Sequence, residues 1–92
     1  MEEYKRIAAT TLTNEEKTLY TNSNGVIIKT IFMHNTADNE IETALSFDGV
    51  VFLFKIAPKE TLIVDKVILT NILKGKGNGV NIHISGIQLG GA

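Results

Sequence analysis

The chain has 92 residues with one proline, no cysteine and no tryptophan, and nine basic against ten acidic side chains leave a formal charge of −1. Hydrophobic residues at 43% and charged residues at 21% are globular proportions that exclude a disordered chain, and the missing cysteines exclude a disulfide framework and a thiolate metal site. The balanced charge offers no field to nucleic acid or to an anionic membrane.

A chain of this size buries roughly two thirds of its unfolded surface, enough for one core with a narrow margin. The expectation is therefore one domain over residues 1–92, stabilised further by association into a homo-oligomer. The start, Met1-Glu2-Glu3-Tyr4-Lys5-Arg6, is acidic where a signal peptide is basic and then apolar. No stretch approaches the run of about 18 apolar residues that reads as a membrane helix. A protein made in the cytoplasm and not anchored is expected.

Isoleucine, valine and threonine number 12, 6 and 10, whereas alanine and leucine together supply only 14, a balance that favours strands. Tyr4 to Leu12 reads as a first, partly polar strand, and Thr13-Asn14-Glu15-Glu16 as a turn. Lys17 to Thr21 is a short strand closed by Asn22-Ser23-Asn24-Gly25, residues that tolerate positive φ. Val26 to His34 carries Ile27, Ile31 and Met33 on one face and Val26, Ile28 and Phe32 on the other, so both faces are expected to be covered. After the polar turn Asn35 to Glu40, Ile41 to Phe47 gives the cleanest period-two alternation of the chain. Asp48-Gly49 then joins it to Val50 to Ile56 as a two-residue hairpin turn. Ala57-Pro58-Lys59 ends that strand, Glu60 to Leu69 forms the next, and Lys74 to Gly79 reads as a glycine-rich mobile loop. The last strand, Val80 to Leu89, changes phase at Gly86, which predicts a bulge there. Seven to eight short strands of this kind predict an all-β fold, a small antiparallel β-sandwich of jelly-roll type.

Several of these segments together resemble a known group. They are Lys17-Thr18-Leu19-Tyr20-Thr21 with its polar turn, Val26 to Met33 ending on Asn35-Thr36, and the strand closing on Ser46-Phe47-Asp48-Gly49. Pro58 with Thr61-Leu62 and the terminal Val80-Asn81-Ile82-His83-Ile84-Ser85-Gly86 complete the pattern. Over about residues 17 to 89 this order resembles the small all-β structural proteins of tailed bacteriophages, the head-decoration and tail-associated minor virion proteins. The resemblance implies a non-enzymatic virion component that is made in the host cytoplasm, assembles as an oligomer and docks onto other capsid or tail proteins. The sequence departs from the group at Thr70-Asn71-Ile72-Leu73, where a Gly-Asp turn is common.

No catalytic, cofactor-binding or metal-binding set emerges from the spacing of reactive residues. His34 and His83 lack the neighbouring ligands of a zinc site and read as surface or interface histidines. Asp38, Asn39, Glu40 and Glu42 lack the alternating oxygens and terminal Glu of a calcium loop. The glycines at 75, 77 and 79 with Lys74 and Lys76 precede a strand, whereas a phosphate-cradling loop opens a helix. Ser23, Ser46 and Ser85 sit in no nucleophile elbow. A carbohydrate- or host-receptor-binding module is the alternative, for which, without tryptophan, only Tyr4 and Tyr20 offer an aromatic platform.

The most informative segment is Val50-Val51-Phe52-Leu53-Phe54, which puts large apolar side chains on both faces of one strand. One face enters the core. Exposure of the other would leave a patch uncommon on monomers, so Val51, Phe52, Leu53 and Phe54 are expected to form a subunit or partner interface. The loops carrying Asp38, Asn39 and Glu40, and Lys74, Lys76 and Asn78, are expected to dock other virion proteins.

Overall fold

The computed structural model describes residues 4–90; Met1-Glu2-Glu3, the acidic start considered above, lie outside them. Among the described residues seven strands form: β1 (Tyr4–Thr11), β2 (Lys17–Asn35), β3 (Ile41–Phe47), β4 (Val50–Ile56), β5 (Thr61–Val64), β6 (Ile68–Lys76) and β7 (Val80–Gln88). They make one antiparallel sheet that does not close, in the order β1-β7-β2-β6-β3-β4, with β5 paired to β2 alone. The all-β expectation holds at this level.

β2 organises the sheet. Its first half pairs with β6, while residues 26–35 pair with β7 and Ile31–His34 with β5. The sheet curls so that distant strands meet. Gly77 N donates to Thr13 O at 2.8 Å, and the Asn35 side chain at the end of β2 donates to Ile56 O at the end of β4. Val26, Ile28, Ile31 and Met33 of β2, Ile82 and Ile84 of β7, and Leu45, Leu73 and Ile56 fill the interior. Asn35, fully buried, is satisfied throughout: its amide donates to Asn39 O and Ile56 O, and its carbonyl accepts from Ala37 N.

Five local expectations are corrected. Lys17 to Thr21 and Val26 to His34 are one strand, because β6 pairs on either side of Asn22–Gly25; between Thr21↔Ile72 and Val26↔Thr70 those four residues oppose Asn71 alone. They form a bulge, held by Asn22 Nδ2 on Gly25 O and Asn71 Nδ2 on Ser23 O. Second, β2 does not bury both faces. A register shift between Ile28 and Thr30 moves Ile31, Met33 and Asn35 onto the face of Val26 and Ile28, leaving Phe32 44% exposed.

Third, Gly86 is not a bulge. Burial alternates through it, and the irregularities lie opposite, in β2 near Lys29 and in β1 between Arg6 and Ala8. A Cβ at Gly86 would sit 2.1 Å from the Ile27 carbonyl oxygen, so close backbone approach explains the glycine. Fourth, Lys74 to Lys76 belong to β6, and only Gly77–Gly79 turns the chain. Gly75 is buried where Leu19 and Leu45 methyls would stand 3.0 Å from a Cβ, and Gly77 faces Thr43 in the same way. Packing, rather than loop mobility, places these two glycines. The long strand expected over Glu60 to Leu69 is also divided, into β5 and the start of β6, with Asp65–Val67 between them.

Candidate functional site

The β3–β4 hairpin closes on Asp48 and Gly49, whose φ values of 55° and 87° are those of a type I′ turn. Phe47 and Val50 flank it, and the register continues as Leu45↔Phe52, Thr43↔Phe54 and Ile41↔Ile56. In a two-residue hairpin the flanking pair exchanges hydrogen bonds and the pattern then alternates. The backbone groups of Val50, Phe52 and Phe54 therefore turn toward β3, and those of Val51, Leu53 and Lys55 turn away from it. β4 ends the sheet, so among the described residues no strand meets that outer edge.

Side chains on both faces of this edge are open. Val50, Val51, Phe52 and Leu53 are 56%, 55%, 46% and 61% exposed. Phe52 stands with Phe54 and buried Ile56 on the core side, its ring 5.8 Å from that of Phe47, whereas Val51 and Leu53 project from the other side beside Ser46 and Ala44. Phe54 differs from its neighbours, being half-buried against the core.

Asp48 fastens the hairpin to β6. Its carboxylate accepts from Asn71 N at 2.8 Å and Ile72 N at 3.0 Å, and its own N–H donates to Ile72 O. These bonds to the charged form, Ile72 first and then Asn71, hold its carboxyl below the ordinary value. Asp48 also lines an open depression with Glu16, Ser46, Gly49, Val51, Ile72 and Lys74.

The docking residues expected from sequence fall in three places. Glu40, Lys76 and Asn78 come together around a second depression with Asn14, Ile41 and Glu42. Lys74 belongs to the first depression, beside β4. Asp38 pairs instead with Lys59 at 3.6 Å, an exposed ion pair of small energetic weight, and Asn39 supplies a carbonyl to Asn35.

His34 Nδ1 lies 2.9 Å from Thr61 Oγ1 across the β2–β5 pair, while His83 is exposed opposite Phe32. No group of three potential metal-ligating side chains is present among the described residues. Nor, among them, is any helix long and apolar enough to cross a membrane. Tyr4 is an open ring, with Lys29 Nζ 6.0 Å from its centroid, whereas Tyr20 is partly buried and its hydroxyl donates to Gln88 Oε1. Burial raises the Tyr20 pKa.

Sequence reasoning missed a second apolar pair, Phe32 with Ile63, which face each other across β2 and β5 at 44% and 56% exposure. The signal was the apolar residue on each face of Val26 to His34, read there as two covered faces. No protein-family model matches the chain, and no curated protein matches it closely enough to indicate a relationship.

Proposed function

We propose that this protein is a non-enzymatic structural building block that acts by binding other proteins through β4, and that the assembly it serves is a tailed-phage particle. One observation carries the binding role: an edge strand with unpaired backbone and four consecutive exposed apolar side chains, Val50 to Leu53. Such an edge is costly to leave bare, because it templates pairing with other chains. The virion setting rests on the order of strands and turns that resembles phage head-decoration and tail proteins. In the same reading the curled sheet is a small jelly-roll-like sandwich, with β2 passing from one layer to the other, and the depression of Glu40, Lys76 and Asn78 supplements β4 as a docking point.

Quantitative mass spectrometry of gradient-purified particles tests the setting. A fixed copy number that survives a salt wash is expected, since apolar contacts are less screened than exposed charge pairs. Absence from particles would refute it. Phe52→Lys tests the surface: it should leave a folded protein that no longer joins particles or its own copies, because a charge is tolerated on an open edge and costly inside an interface.

A further inference from the structure

We propose that two copies of the protein pair through β4, edge to edge and antiparallel, about a two-fold axis at Leu53, so that the two sheets continue into one another. This rests on the reading of β4 as the binding surface and specifies its occupant.

The backbone groups of Val51, Leu53 and Lys55 that point outward select a strand as the partner. A flat apolar surface laid over Val51, Phe52 and Leu53 would exclude water from them and leave them unpaired. A two-fold axis normal to the sheet keeps every side chain on its own face and lets a residue oppose itself. The register that uses all seven residues of β4 then has Leu53 facing Leu53 of the second copy, Phe52 facing Phe54, and Val51 facing Lys55. No like charges meet, because Lys55 is the one charged residue of the strand.

Charge favours the same arrangement. The ion pair among the described residues is Lys59–Asp38, so Lys55 enters none, although it lies opposite Glu42 across the hairpin. In the paired form it arrives beside Val51 of the second copy, on the rim of the depression that holds Glu16, Asp48 and Lys74. Two carboxylates there face one ammonium, and Lys55 supplies the missing positive charge, twice by symmetry. β1 is a poor alternative partner for β4, since it carries Lys5 and Arg6 and is bulged next to them. Pairing β4 with β1 would also be head-to-tail and open-ended, whereas β4 with β4 closes.

Single-cysteine variants test the register without interference, the chain having no cysteine of its own. Opposed residues of a hydrogen-bonded pair have Cα atoms about 5.5 Å apart, within disulfide reach. Under mild oxidation Leu53→Cys should cross-link to itself. Val51→Cys should not, yet should cross-link when mixed with Lys55→Cys. Both favoured reactions should run about tenfold or more faster than Val51→Cys alone, through the raised local thiol concentration. Circular dichroism confirms that each variant is folded. If the wild type associates and Phe52→Lys disperses it, but this cross-linking pattern is absent, the two-fold edge pairing is overturned while β4 remains the binding surface. Cross-linking of Leu53→Cys to a different particle protein and not to itself would also overturn it, as would equal slow oxidation of all three variants in a monomeric protein.

Discussion

The two strands at the ends of the path β1-β7-β2-β6-β3-β4 are opposites. β1 presents Lys5, Arg6, Thr10 and Thr11 to solvent, is bulged where Ile7 turns inward, and anchors Lys5 to Gln88 and Thr11 to Asn81 of its neighbour. β4 is regular over its whole length and shows Val50, Val51, Phe52 and Leu53. Charge and irregularity are the ordinary protections of a sheet edge; β1 has both, whereas β4 is regular and carries Lys55 as its one charge. The same sequence that guards β1 leaves four consecutive apolar side chains of β4 open.

The difference extends to how each edge is held, and substitutions on the two sides test it. Gly86→Ala, in the strand that holds β1, should cost at least ~3 kcal/mol, because its methyl group would collide with the Ile27 carbonyl oxygen. Gly49→Ala, beside β4, meets open space and only the strain of positive φ, about 1–2 kcal/mol. Urea denaturation of both variants measures the contrast, and equal losses would break it. Asn35→Ala removes the tie between the ends of β2 and β4, with the bonds to Ile56 O and Asn39 O and the one from Ala37 N, a loss of about 2 kcal/mol in the same assay.

Exchanging the character of the edges changes association more than stability. Lys5→Val with Arg6→Val should shift unfolding by no more than about 0.5 kcal/mol, since both are exposed, yet give a second adhesive edge and larger species in light scattering. The smallest effect is at Asp48. Its pKa is lowered on folding, so its contribution is present above the unfolded value of 3.8 and is lost as pH falls through the folded value. Wild-type stability should decline across that acid range more steeply than that of Asp48→Asn, as thermal melts at a series of pH values would show.

The β3–β4 hairpin and its apolar run were legible in sequence because both are local, whereas the place of β4 at the end of the sheet, which leaves Val50 and Phe52 open too, follows from strand order. Asp48-Gly49 between apolar runs specifies the turn, the turn specifies the pairing, and five apolar residues in succession force side chains onto both faces. What misled were features that belong to pairs of strands. The phase change near Gly86 is visible in the chain, but a bulge is a mismatch between two strands, and the extra residues lie in β1 and β2. Asn22-Ser23-Asn24-Gly25 has the composition of a turn, and only the continued pairing of β6 on both sides of Asn71 makes it a bulge within one strand. The alternating glycines of 75–79 look mobile until Leu19, Leu45 and Thr43, all distant in sequence, are packed against two of them. The depression of Glu40, Lys76 and Asn78 likewise unites two segments brought together by the pairing of β3 with β6, strands distant in sequence.

The place of β7 between β1 and β2 has a consequence for biosynthesis. Tyr4 faces Ile87 and Thr11 faces Asn81, so when β6 leaves the ribosome the first strand has no neighbour and β2 is paired on one side only. The nascent chain carries β4 already formed into its hairpin while half of its interior is open to water. Completion waits for Val80 to Gln88 to slide between two strands made long before, a late closure of distant contacts of the kind that folds slowly and needs protection meanwhile. The β3–β4 hairpin, with its open apolar side chains, is thus ready before the body that carries it.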